Sequence, residues 1–141
     1  FDPESHLKPF LTPRPGLQSG LMIAQYAAAA CVNEMIGLAT PASVSNISTC
    51  AGMEDYNSFG PRAAAKASRA LELARRVVAI ELICAAQGVE AHRPLKSGRL
   101  VERAIRTVRS RVRPLDADRE LTPDIEAVAE LIADGAFAPD A

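Results

Sequence analysis

One segment of this 141-residue chain concentrates side chains able to do chemistry: residues 48–58, reading STCAGMEDYNS. Glu54 and Asp55 are neighbouring carboxylates just ahead of a long helical pattern. Acids in that position often serve the positive end of a helix dipole or cap its first turn. The functional alternative is that one carboxylate faces a cleft, where burial tunes it to accept a proton or hold a substrate ammonium. Residue types alone leave both readings open.

Other reactive constellations are missing. His6 and His92 have no second histidine or cysteine at ligand spacing, and no H-E-x-x-H occurs, so both read as surface or loop residues and no metal site is expected. No G-x-S-x-G nucleophile turn, G-x-G-x-x-G or Walker loop is present, and no cysteine has a nearby histidine. Cys31, Cys50 and Cys84 are odd in number and far apart, with no C-x-x-C between them. They read as buried, inert thiols in a reducing cytoplasm rather than as a disulfide framework.

The elements that must position residues 48–58 are helices. The chain is 48% hydrophobic but only 4% aromatic, without tryptophan. Alanine and leucine supply much of that content, which favours closely packed helices over strands. Residues 1–20 carry Pro3, Pro9, Pro13, Pro15, Gly16 and Gly20 and predict an extended loop. Residues 20–38 are alanine-rich, with Glu34 the one ionised side chain. A helix apolar on all sides is normally covered on all sides. Thr40-Pro41 ends it, and residues 41–60, rich in Ser, Asn, Thr and Gly, form a polar loop of the kind that more often carries function than not.

The strongest periodicity runs over residues 61–87, with Pro61 suited to the first turn and Gly88 to a left-handed C-terminal cap. Such a helix is about 40 Å long, too long for a domain of this size, so it should extend into a larger bundle or an oligomer. A third helix is expected near 99–112, presenting Val101, Ala104, Ile105, Val108 and Val112 on one face. A fourth opens at Thr122-Pro123-Asp124, with Thr122 as its cap, and runs to about Ala133. The whole reads as one all-α unit, 1–141.

Net charge is −1, so no global field draws nucleic acid or an anionic membrane. Residues 93–113 hold eight basic side chains and one acid; residues 114–141 hold eight acids and one base. The two stretches cancel, which favours a cationic helix facing an acidic tail over a nucleic-acid surface. No apolar run reaches spanning length, and no signal peptide is expected from the opening FDPESH.

Several stretches together resemble the histidine and phenylalanine ammonia-lyases. Residues 9–26, PFLTPRPGLQSGLMIAQY, are similar to the family's PPFL…PGLNSGFMIAQ; 41–44, PASV, to HPASVD; and 53–60, MEDYNSFG, to QEDHVSMG. Residues 79–87, AIELICAAQ, resemble AVELLAAAQ, and 121–126 contain the PDIE of a terminal PDIEA. The matches are colinear and cover nearly the whole chain.

This resemblance implies the C-terminal part of a long-helix bundle assembled as a homotetramer, with active sites built from several subunits. It implies non-oxidative elimination of ammonia from an aromatic amino acid, helped by a protein-derived methylideneimidazolone made at Ala-Ser-Gly. An electron sink of some kind is required, because an amine is a poor leaving group and the β-proton is weakly acidic. By the same resemblance Glu54 falls on the active-site glutamate, and Met22 on a residue lining the substrate pocket. Cys50 falls on a further near-site position. Glutamate at position 54 favours histidine as substrate.

The chain holds no Ala-Ser-Gly: Val44 follows Ala42-Ser43, and Arg69 follows Ala67-Ser68. The electrophile, a catalytic tyrosine and a carboxylate-binding arginine are therefore expected from an N-terminal segment or chain. Gly52-Met53 stands in place of the family's Asn-Gln, and Gln18 in place of Asn. An aminomutase of the same family, or a helical scaffold without catalysis, are the competing readings.

Overall fold

The computed structural model describes residues 3–138. It is helical, with four α-helices and no β-strand among those residues: α1, Met22–Leu38; α2, Gly60–Glu90; α3, Arg99–Arg109; and α4, Thr122–Ala133. The Pro/Gly-rich N-terminal loop is interrupted by two short 3-10 turns, Pro3–Ser5 and Pro9–Leu11.

α2 is the spine. At 31 residues it is about 46 Å long, and α1, α3 and α4 all pack on it. α1 runs antiparallel to it, with Glu34 beside Arg69 at 2.7 Å and the Lys66 ammonium donating to the Thr40 carbonyl near the end of α1. The core lies over the C-terminal half of α2. Ala79, Ile80, Ile83 and Ala86 meet Leu21 and Ala24 of the α1 entry, Ile105 and Val108 of α3, and Val128 and Ala129 of α4. Toward its N-terminus α2 is mostly exposed, as is much of α1: Ile23, Tyr26 and Ile36 are 57%, 68% and 67% exposed. The apolar composition of α1 is thus covered by this chain along one side only; within α1 itself, Ala24 alone is fully buried.

Three sequence expectations are corrected. Gly88 does not cap α2; it lies inside the last turn, and the helix closes through the Ala91 amide on the Gln87 carbonyl. The bare Gly88 surface lies under the N-terminal loop, where a Cβ would stand 3.7 Å from Leu7 and 3.9 Å from Leu11. α3 ends at Arg109, although the Val112 amide still bonds the Val108 carbonyl and Val112 is buried. Val101 does share a face with Ala104, Ile105 and Val108, but it is 46% exposed at the edge of that face. Thr122 makes no capping bond; Arg119 instead grips Asp124 of the first turn at 2.7 Å.

The basic stretch finds partners both in the tail, where Arg113 lies 3.9 Å from Asp116 and Arg103 donates to the Ala138 carbonyl, and in its own neighbourhood. Arg93 pairs with Glu102 at 2.7 Å, and Arg109 with Glu90 of α2 at 2.6 Å, both acids outside the C-terminal tail. Glu126 of α4, also in the tail, pairs with Arg76 of α2. Gln87 adds a two-point staple, donating to the Leu115 carbonyl and accepting its amide, each at 3.0 Å. It ties the α3–α4 connection to the spine.

Candidate functional site

The reactive segment forms a closed loop between α1 and α2. Its base is fastened by two asparagines: Asn46 accepts the Asn57 amide at 2.9 Å and donates to the Asn57 carbonyl at 2.8 Å. The Asn57 side chain reaches back, donating to the Ile47 carbonyl and accepting the Thr49 hydroxyl. Asparagine suits such a place because its amide imitates a peptide group.

Inside that base the chain turns tightly. Thr49 and Glu54 exchange backbone hydrogen bonds of 2.7 and 3.2 Å, and the Met53 amide donates to the Cys50 carbonyl. Three successive residues, Cys50, Ala51 and Gly52, have positive φ of 53°, 52° and 84°. Glycine adopts this region freely, whereas cysteine and alanine there each cost on the order of 1–3 kcal/mol. The asparagine base and the Thr49–Glu54 pair are what hold this turn.

Glu54 is therefore fixed through its backbone while its side chain projects from an exposed surface, without a hydrogen bond or ion pair among the described residues. Cys50 lies in the same turn and is exposed, contrary to the expectation of a buried thiol. Cys31 and Cys84 are half-buried. Burial, and after it the neighbouring Glu81 carboxylate, push the Cys84 thiol up, which keeps it protonated and unreactive.

Met22 is elsewhere. It is half-buried in the first turn of α1, whereas the reactive loop follows the other end of that 17-residue helix, about 25 Å away along the axis. The best-formed clefts among the described residues, of about 220–590 Å³, are lined by other side chains and bring none of Met22, Cys50 and Glu54 together. Both histidines are exposed. No group of three or more His, Cys, Asp or Glu able to hold a metal occurs among the described residues, and none of the helices is long and apolar enough to cross a membrane.

The entry to α1 has its own fastening. The Thr12 hydroxyl, in a residue only 2% exposed, donates to Gln18 Oε1 at 2.7 Å, and the Gln18 amide donates to the Asp116 carbonyl at 3.3 Å. The two carboxylate oxygens of Asp118 accept the Ser19 and Gly20 amides, each at 2.9 Å. Gly20 has φ +56°, and a Cβ there would lie 2.4 Å from the Phe10 carbonyl oxygen, so the path admits glycine alone.

Sequence reasoning missed Asn46, Asn57 and Asp118. The asparagines flank the reactive segment, and their turn-forming character was a usable signal. Asp118 had none, since 98 residues separate it from Gly20.

Known proteins share this arrangement of helices. The family model described as aromatic amino acid lyase matches residues 1–110. The histidine ammonia-lyase of Symbiobacterium thermophilum is 49% identical over 131 residues, 93% of this chain and 26% of that protein. That of Rattus norvegicus is 48% identical over 130 residues, 92% of this chain and 20% of the relative. The chain thus spans a fifth to about a quarter of the length of these curated relatives. Among solved structures, histidine ammonia-lyase from Trypanosoma cruzi superposes with a TM-score of 0.90 at 41% identity, over 96% of this chain and 27% of that one. Tyrosine aminomutase from Streptomyces globisporus gives 0.86 at 34% identity, over 93% and 25%.

Proposed function

We propose, for a chain that belongs to the aromatic amino acid lyase family, that it is the C-terminal part of an ammonia-lyase acting on histidine. The observation that carries this reading is its identity of 45–49% to proteins named histidine ammonia-lyase, over more than nine-tenths of the chain. Residues 1–141 act as one helical unit of a larger fold, in a cytoplasmic homo-oligomer of four subunits.

The chemistry divides between this chain and polypeptide beyond it. The two Ala-Ser pairs lack a following glycine; one lies in a 3-10 turn and the other within α2. These residues do not fit the precursor of a methylideneimidazolone, so that electrophile comes from an N-terminal segment or chain.

What this chain brings is a carboxylate on a stiff loop. An exposed Glu54 without a partner among the described residues has both oxygens available to hold a substrate ammonium or imidazole. Covered by a second surface, it would face a bound substrate rather than water, within reach of a proton to be moved. Met22 supplies an apolar wall, and Cys50 a small neighbour to Glu54. Because Met22 and Glu54 stand at opposite ends of α1, they serve one pocket only when different copies contribute them, or they serve different pockets. The exposed apolar faces of α1 and the uncovered half of α2 support burial in such an assembly.

Co-production with an N-terminal chain bearing Ala-Ser-Gly tests this. A complex should form and release urocanate from histidine, read by its absorbance. Cinnamate or coumarate from phenylalanine or tyrosine would move the substrate, and no complex would leave only a helical scaffold. The likeness to tyrosine aminomutase favours a second reading, in which the same complex interconverts α- and β-amino acids.

A further inference from the structure

The Asp118 carboxylate lies outside the stretch matched by the family model, yet it grips the residues that lead into α1. We propose that Asp118 is a positioning residue: by receiving the Ser19 and Gly20 amides it fixes where α1 begins, and so sets the place of Met22 in the substrate pocket. This rests on the lyase reading for the role of Met22, though the grip itself does not.

The geometry is that of a two-point clamp. One carboxylate takes two consecutive backbone amides at 2.9 Å, an arrangement stronger than two neutral hydrogen bonds. Those amides, followed by Arg14 nearby, hold the pKa of the Asp118 carboxyl below the usual carboxylate range. Gly20 is buried, the Leu21 amide bonds the Phe10 carbonyl at 2.9 Å, and Leu21 and Ala24 are 5% and 4% exposed in the core. α1 is thus anchored by the packing of Leu21 and Ala24, while the two residues that lead into it are held by Asp118. Met22, two residues past Gly20 and half-buried, takes its direction from that turn. Losing the clamp would leave the core intact and let the first turn drift, which separates positioning from stability.

The test uses the completed lyase, this chain together with the Ala-Ser-Gly-bearing segment, and compares Asp118→Asn with Asp118→Glu. The asparagine substitution keeps the side-chain volume but turns a donor toward one of the two amides. The proposal expects Asp118→Asn to raise KM for the amino acid about fivefold with kcat within about twofold. It expects the peptide over 14–22 to exchange amide hydrogens about tenfold faster, with the melting temperature nearly unchanged. Asp118→Glu should recover part of both effects.

Unchanged exchange in Asp118→Asn would overturn the clamp. Faster exchange with unaltered KM would overturn the link to Met22, as would a loss of activity accounted for entirely by a fall in melting temperature. If the unsubstituted complex turns over no substrate, the lyase reading and the role of Met22 fail, while the exchange measurement still decides whether Asp118 sets the entry to α1.

Discussion

Asn46 and Asn57 bind each other as two strands of a sheet would: the Asn46 side-chain amide takes the Asn57 backbone N–H at 2.9 Å and gives to its carbonyl at 2.8 Å. One side chain thereby closes the loop over residues 47–56 and holds a left-handed turn that Cys50 and Ala51 would not adopt unaided.

Replacing Asn46 with alanine removes both bonds to Asn57 and the one accepted from the Ile47 amide, and leaves the half-buried Asn57 peptide to water. The expected cost is about 1–3 kcal/mol, confined to the loop. Hydrogen exchange over residues 47–56 should accelerate while that over 79–88 stays the same. Equal acceleration in both would show that the loop and the core open together.

Two glycines should respond to alanine with opposite signs. At Gly20 the added Cβ meets a carbonyl oxygen at 2.4 Å on a positive-φ backbone, and something must move. Gly20→Ala should destabilise by more than about 2 kcal/mol. At Gly88 the contacts of 3.7 and 3.9 Å are ordinary and the residue is helical. Gly88→Ala should be stabilising by about 0.5–1 kcal/mol. Urea denaturation of both variants reads the contrast; destabilisation by Gly88→Ala would restore the capping role that sequence assigned it.

What sequence could reveal follows from distance along the chain. The four helices were legible because periodicity, prolines and small residues are local signals, and each element lies within a few residues of its expected bounds. Gly88 misled because a glycine near a helix end looks the same whether it caps the helix or makes room for Leu7 and Leu11. The reactive segment was legible from its composition and from family resemblance. Its rigidity, from Asn46 and Asn57, and its separation from Met22 were not, since both depend on how α1 and the loop lie in space. Asp118 was illegible for the same reason.

Glu102 should make stability depend on acid. Its carboxyl is drawn down from an ordinary 4.5 to about 2, first by the hydrogen bond from Arg93 and then by the Ser97 amide. The unfolded state therefore takes up a proton more readily than the folded one. This contribution is fully present above the ordinary carboxylate range and is lost as pH falls toward about 2. Urea midpoints of the unsubstituted chain and Glu102→Gln should differ at neutral pH and converge in strong acid. A gap that persists there would mean Glu102 acts through packing.

The most direct test of the account is the rate of urocanate release by the completed complex with Glu54 and with Glu54→Gln, each checked for equal assembly and melting temperature. The account predicts turnover in the first and a loss in kcat of about a hundredfold or more in the second. Equal rates in the two would contradict it, because the carboxylate held out by the asparagine-based loop would then take no part in the chemistry.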